Sequence, residues 1–295
     1  MRRSRMSFAA AAVVALALAG CSSGGGSESE PSAEKVDDLA ALLPQDIASK
    51  GTLNLGVNVD IAPLKYMDDA GEVTGFSIEQ FRLASDVLGL DVNIEQGSFD
   101  SLVPGLESGR YDALASLADI KDRQASVRFV DFLRAGVSWV AAADATVDVT
   151  SRDDLCGRRI AVLKGSGAET EMRQQVQSCA AANAPQLNLA AYPDSNAALL
   201  SVDSGEDELA MIDSPAATYN AAQFPDKYKV AYTEYTNPNG IGFPTEPPAL
   251  ADAYSAALKH LLENGRYKEL ADKYQIPEGD LITDFPINKG PELAG

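Results

Sequence analysis

One phrase occurs twice in this chain. Leu106-Glu-Ser-Gly-Arg-Tyr-Asp-Ala-Leu-Ala-Ser116 is answered by Val202-Asp-Ser-Gly-Glu-Asp-Glu-Leu-Ala-Met-Ile212-Asp213, with Gly109 in register with Gly205 and Asp112 with Glu208. In each copy a helical spacing of apolar residues (Leu102, Val103, Leu106; Ala198, Leu199, Val202) runs into a Ser-Gly stop, a short apolar run and then polar residues. That grammar spells helix, glycine cap, buried strand and polar strand tip. Two copies predict two similar α/β lobes, each presenting side chains at the C-terminal end of a strand, where open α/β sheets bind ligands. A glycine after a helix and an acid before a strand also recur by chance, so the repeat needs support from elsewhere in the chain.

The ends of the chain bear on its compartment. Arg2, Arg3 and Arg5 precede an apolar stretch from Phe8 to Ala19, and Leu18-Ala19-Gly20-Cys21 follows. This reads as a secretory signal over 1–20, too short for a stable membrane span. A polar, Gly-rich tract from Ser22 to Pro31 comes next, the composition of a flexible tether over 21–38. No later segment is long and apolar enough to span a membrane, so the remainder is expected to be an extracytoplasmic body outside the cell membrane. The formal charge of −19 becomes −22 once the three arginines of the signal are removed. Such a surface argues against nucleic acid as a partner.

Three cysteines and one histidine limit the chemistry further. Cys156 and Cys179 remain after Cys21, and outside the cytoplasm two such thiols favour a disulfide over a metal or catalytic site. The single histidine, His260, falls in a helical run and reads as a surface residue; it leaves no zinc cluster and no Ser-His-Asp set. No metal and no cofactor are expected.

Along the body, 39–47 reads as a short helix and Gly51 to Val59 as a strand ending at Asp60, followed by a hairpin turn at Asp68-Asp-Ala-Gly71. A helix over 78–88 capped by Gly89 and a strand over 91–95 complete one unit. The grammar restarts with a strand over 157–163, a Lys164-Gly-Ser-Gly167 loop and a helix over 168–179. That loop is either an ordinary turn or an anion site made by backbone N–H groups at a helix start. A strand over 228–232, a loop over 244–248 and helices over 249–262 and 266–274 follow. The closing helices are expected to return to the first lobe, so that the chain crosses between lobes twice and forms a hinge.

At this point the residues resemble a family. Gly56-Val-Asn-Val-Asp-Ile-Ala-Pro63, Gly75-Phe76-Ser-Ile, Phe99-Asp-Ser-Leu-Val-Pro-Gly-Leu, Asp119-Ile-Lys-Asp-Arg123 with Phe129, Leu155-Cys-Gly157, Val162-Leu-Lys-Gly165-Ser, Asp213-Ser-Pro and Asn264-Gly-Arg-Tyr267 stand in the order seen in bacterial extracellular solute-binding proteins, family 3. These are the substrate-binding proteins of polar amino-acid ABC transporters. The resemblance implies an α/β, two-lobed periplasmic-binding-protein-like fold with two crossover strands and a ligand cleft between lobes. It places lobe 1 at 39–136 and 236–295 and lobe 2 at 137–235.

It also implies roles. Arg123 stands where the family binds the ligand's α-carboxylate, which suits a guanidinium fork, and Asp213 where it receives the α-ammonium. Ser116 and Ala118 match the strand end that helps to hold the ligand, and Ser166 and Gly167 the helix-start loop. Phe99 is either core or an apolar wall. Asn58 faces the ligand side chain, and Asp60 and Tyr66 lie at the rim. Leu18-Ala19-Gly20-Cys21 is similar to a lipobox, which makes Cys21 the lipidated anchor. The Cys156 and Cys179 spacing resembles a bridged pair in part of the family.

Four positions depart from the family. Ile61, Leu64, Ala118 and Ile120 are aliphatic where aromatic or hydroxyl residues are frequent, so the pocket is expected to stack and hydrogen-bond less, favouring an apolar or atypical amino acid or a derivative. The expected function is that of a monomeric, lipid-anchored ABC-importer receptor for an amino acid, without catalysis, handing its ligand to a membrane permease. The alternatives are a ligand-sensing lipoprotein reporting to a signalling partner, and a dehydratase or lytic enzyme on the same fold.

Overall fold

The computed structural model describes residues 33–291. The signal segment, Cys21 and most of the tether lie outside the described residues. Two short helices, α1 (Asp37–Ala40) and α2 (Gln45–Lys50), lead to β1 (Thr52–Val57) and a small hairpin sheet of β2 (Asp60–Ile61), β3 (Lys65–Met67) and β4 (Val73–Thr74). Then come α3 (Phe76–Leu88), β5 (Asp91–Gln96), α4 (Phe99–Glu107), β6 (Ala113–Ala118) and a long β7 (Val127–Ala142). The second unit holds β8 (Arg159–Leu163), α5 (Gly167–Ala181), β9 (Asn188–Tyr192), α6 (Ser195–Asp203), β10 (Leu209–Asp213) and α7 (Ser214–Gln223). A second long strand, β11 (Tyr228–Pro244), returns to α8 (Ala249–Glu263) and α9 (Arg266–Lys273).

Eight strands form one sheet in the order β5-β1-β6-β11-β7-β10-β8-β9. At one end β1 pairs in parallel with β5 and β6; at the other β8 pairs in parallel with β9 and β10. Between them β7 and β11 run antiparallel along nearly their whole lengths, β11 holding β6 and β7 holding β10. The architecture is thus a two-lobed α/β fold in which two strands cross between parallel halves. The register of β11 on β7 is irregular between Glu234 and Asn237.

The repeated phrase takes the same form in both halves. Gly109 follows α4 at φ +74° and Gly205 follows α6 at φ +75°, the left-handed turn that lets each chain leave its helix and enter its strand. Their strands, β6 and β10, end at Ala118 and Asp213.

Two expectations change. The helix expected over 39–47 is split, because Pro44 lacks the N–H that an uninterrupted helix would need and instead starts α2. The strand expected over 228–232 extends to Pro244, because β7 supplies a continuous antiparallel partner that the local sequence does not reveal. The expected bridge is present: Cys156 and Cys179 are joined, with Cα atoms 5.7 Å apart. It fastens the segment entering β8 to α5, inside a core that includes Trp139, Leu155, Met172 and Leu187. In the first half Phe81, Tyr254 and Phe243 stack between α3, α8 and β11.

Candidate functional site

The polar tip of β6 lies where the two halves meet. Beyond Ala118 the chain turns through Ile120 and a single helical turn at Arg123–Ala125, closed by the Arg123 N–H donating to the Ile120 carbonyl at 3.0 Å. This turn sends the Arg123 side chain back to the strand end, where Nη1 donates to the Ala118 carbonyl at 2.6 Å. The guanidinium lies 5.7 Å from the centre of the Phe99 ring, the first residue of α4. Loss of water around it lowers its pKa to about 10, against the opposing pull of Asp213 and Asp119. Arg123 therefore stays charged at neutral pH, and the carboxylate of the other half, at the end of β10, is close enough to act on it.

Sequence reasoning missed the second cation of this cluster. Lys65, the first residue of β3, is 1% exposed. Its ammonium donates to Asn58 Oδ1 at 2.5 Å and to the Ser116 carbonyl at 2.7 Å, and it too lies 5.7 Å from the Phe99 ring centre. Asn58 is 6% exposed and Ser116 3%. The Ser116 hydroxyl is buried and has no hydrogen-bond partner. Ile61, paired with Lys65 across the hairpin, is buried against the same side of the core. The Asp60 backbone pairs with Tyr66. The available signal for Lys65 was its two-residue distance from Pro63 in a stretch already singled out.

On the facing half, Ser166 caps α5 by accepting the Glu169 N–H at 3.1 Å. The Gly165 N–H is taken by the Glu169 carboxylate at 2.6 Å, so part of the anion demand of this helix start is met within the protein. The loop closes on the first half: Lys164 pairs with Asp100 at 2.7 Å, and a Cβ on Gly165 would lie 3.1 Å from that of Asp100. Gly167 approaches Ile120. Asp213 ends β10 opposite Val137, and Ser214 beside it accepts the Gly136 N–H at 3.2 Å. Of the residues named from the sequence, Ser116, Ala118, Arg123, Phe99 and Asn58 lie in one cluster, Gly167 approaches it from the facing loop and Asp213 acts on Arg123, whereas Tyr66 lines a separate cavity.

A cavity of about 440 Å³ lies beside this cluster, lined by Tyr66, Ser214, Tyr219 and Tyr274 among others. It shares the hairpin and α7 with the cluster, but neither Arg123, Lys65 nor Phe99 lines it. Size alone would favour the cavity; the convergence of charged and polar groups favours the strand tips. No grouping of His, Cys, Asp or Glu among the described residues suits a metal ion.

Behind Arg123 the C-terminal run seals two buried acids. The Gly290 N–H donates to Asp119 Oδ2 at 2.7 Å and the Lys289 N–H to Asp131 Oδ2 at 3.1 Å. A Cβ on Gly290 would lie 1.9 Å from the Asp119 carbonyl oxygen, so only glycine fits. Burial first, then the Asp119 charge, raises the Asp131 pKa to about 7. A protonated Asp131 has a hydrogen to offer the neighbouring Asp119 carboxylate, where two charged acids would repel. The folded chain holds this proton between about pH 4 and 7 while the unfolded chain releases it, so stability from this group falls as pH rises through that window. Asp131→Asn, which keeps the donor and removes the titration, is expected to match the parent near pH 4 and to exceed it above pH 7 in urea-unfolding midpoint. A difference independent of pH would contradict the shared proton.

The profile of the bacterial extracellular solute-binding proteins, family 3, matches residues 53–277. The arginine-binding protein ArgT of Corynebacterium glutamicum is 28% identical over 261 residues, 88% of this chain and 85% of that protein. Among solved structures, a mutant of the arginine-binding protein of T. maritima superposes with a TM-score of 0.71 at 22% identity, covering 79% of this chain and 98% of its own. An ancestral amino acid-binding protein, a precursor of cyclohexadienyl dehydratase, superposes with a TM-score of 0.69 at 24% identity, covering 79% and 99%. At these identities the two structures speak for the fold.

Proposed function

The chain belongs to the bacterial extracellular solute-binding proteins, family 3, and from that premise we propose that it captures an amino acid between its two halves outside the cell and delivers it to an ABC permease. One observation carries this reading: two opposite charges, Arg123 after β6 and Asp213 at the end of β10, come from different halves of one sheet and act on each other. An α-amino acid carries the complementary pair. Its carboxylate suits the guanidinium fork, and its ammonium suits the acid.

A ligand held from both sides binds the closed arrangement better than an open one, and that difference drives closure. Lobe 1 at 39–136 and 236–295 and lobe 2 at 137–235 divide β7 and β11 beside the irregular register between Glu234 and Asn237, which supports a hinge there. The Leu18-Ala19-Gly20-Cys21 quartet supports attachment of the chain to the outer face of the membrane through lipid on Cys21. Ser166 and Gly167, at the start of α5, close the ligand from the second half.

The direct test is a thermal-shift screen against amino acids, because a ligand at a hundred times its dissociation constant stabilises the folded chain by about 2.7 kcal/mol. No shift with any amino acid would overturn the reading. Asp213→Asn is expected to weaken α-amino acids by about 10- to 100-fold, while deaminated analogues change little. Equal losses for both would remove Asp213 from the ammonium role.

A further inference from the structure

We propose that the segment 281–291 is a positioning strap for the ligand site: it fixes the turn that carries Arg123, so that the guanidinium fork stands aligned for an α-carboxylate before the ligand arrives. The inference rests on the binding reading above and gives Asp119, Gln124 and Gly290 the part of positioning residues in that site. The strap lies beyond the residues that the family profile matches, 53–277.

The strap is fastened along β7 before it reaches the turn. Leu281 and Ile287 make antiparallel bridges to Leu133 and Val130. The Ile282 N–H donates to the Phe132 carbonyl at 3.0 Å, the Asp131 N–H to the Pro286 carbonyl at 3.0 Å, and the Phe129 N–H to Asn288 Oδ1 at 2.6 Å. Phe285 is fully buried, edge-on to Tyr267 of α9 at 5.0 Å, and its carbonyl accepts the Ser255 hydroxyl of α8 at 2.7 Å. Phe285 (φ +43°) and Asn288 (φ +51°) take left-handed backbone, which for an aromatic residue persists only where the surroundings hold it. The strap therefore has one path across the first half, and its end arrives behind β6 at a fixed place.

That end meets the turn at several atoms. The Gly290 N–H donates to Asp119 Oδ2 at 2.7 Å and the Lys121 N–H to the Pro291 carbonyl at 3.0 Å. Gln124 Nε2 donates to Asp119 Oδ1 at 2.8 Å and reaches the Gly290 carbonyl at 3.3 Å. Asp119, Lys121 and Gln124 bracket Arg123 on both sides. Asp119 is fully buried and its charge acts on the Arg123 guanidinium, so the carboxylate that the strap orients also favours the charged fork. A segment that only covered β7 would need no bond to this turn. Two parallel hydrogen bonds to a carboxylate demand alignment, and a displacement of about 1 Å takes one of them out of range.

Calorimetry on the full chain with the standard L-amino acids tests this in the parent, Gly290→Val, Arg123→Lys and the double variant. A side chain at 290 overlaps the Asp119 carbonyl and pushes strap and turn apart. Gly290→Val is expected to weaken the amino acid that the parent binds best by about 10-fold or more. In the Arg123→Lys background the same substitution is expected to cost less than about 2-fold, because an ammonium has no fork to align. Gln124→Leu removes two bonds of the turn without crowding it; it is expected to show the same dependence on Arg123 with a loss of about 3- to 10-fold, and it decides the matter should Gly290→Val not fold. Where Arg123→Lys binds too weakly to read, the amino acid and its α-carboxamide are compared in the parent and Gln124→Leu: a loss confined to the carboxylate supports the strap, and an equal loss overturns it. Equal losses in both Arg123 backgrounds, or parent affinity in folded strap variants, would also overturn the proposal and leave the amino-acid reading standing. A parent that binds no amino acid would overturn both.

Discussion

Arg123→Ala is expected to abolish amino-acid binding. The guanidinium sits among the Ala118 carbonyl, the Phe99 ring and the charges of Asp213 and Asp119, and its pKa of about 10 shows how much water it has lost. Removing one member of a partly buried charge pair costs about 3–5 kcal/mol, because the partner is left uncompensated in a poor solvent. Arg123 keeps some exposed surface, which places the loss toward the lower end, still more than about 100-fold in affinity. Lysine at this position is expected to recover a part only, since it keeps the charge but lacks the two parallel donors. Calorimetry against the ligand found by thermal shift reads the effect directly. Unchanged affinity in Arg123→Ala would sink the carboxylate assignment.

Cys156→Ser with Cys179→Ser is expected to be the most destabilising change away from the site. The bridge spans 23 positions and ties the entry of β8 to the last turns of α5. Releasing a loop of that length from the unfolded ensemble costs about 3 kcal/mol. In a domain of this size that corresponds to a fall of roughly 6–12 °C in melting temperature. Both sulfurs belong to the core around Met172 and Leu155, so serine also introduces hydroxyls into an apolar setting. Scanning calorimetry should show a fall for the parent under reductant and a somewhat larger one for the double variant, which also buries the two hydroxyls. A parent indifferent to reductant would show that packing, and not the bridge, holds this half together.

The legible parts of this chain were those written locally. The helix at 76–88 announced itself by Ile78, Phe81, Ala84 and Leu88 on one face and by Gly89 at its end, and the structure caps it there with φ +71°. The strand at 159–163 and the helix that follows Ser166 were equally plain, because capping and periodicity act over a few residues. The long β7 was not assigned from the sequence: it is buried on both faces for most of its length, so apolar residues do not alternate, and Arg128, Asp131 and Arg134 break the run without giving a period. β11 runs on through Pro238 and the glycines at 240 and 242, residues that disfavour a strand locally. They are tolerated because the register on β7 and β6 shifts around them.

The candidate site divides in the same way. Ser116 and Asp213 were found because they stand at the polar ends of one repeated phrase, inside β6 and at the end of β10. Arg123, Asn58 and Phe99 came from resemblance, and their nearness to one another is a property of the folded sheet.

By itself the sequence determined the two strand tips, the disulfide and the family, since each is encoded in short stretches whose physics is complete within a turn or a strand. The tertiary structure alone decided that Lys65 from a hairpin meets Asn58, Ser116 and Phe99, and that the segment at Lys289 and Gly290 closes over Asp119 and Asp131. Those contacts join residues up to 171 positions apart. They follow from sheet order and from the meeting of two halves, which no local period records.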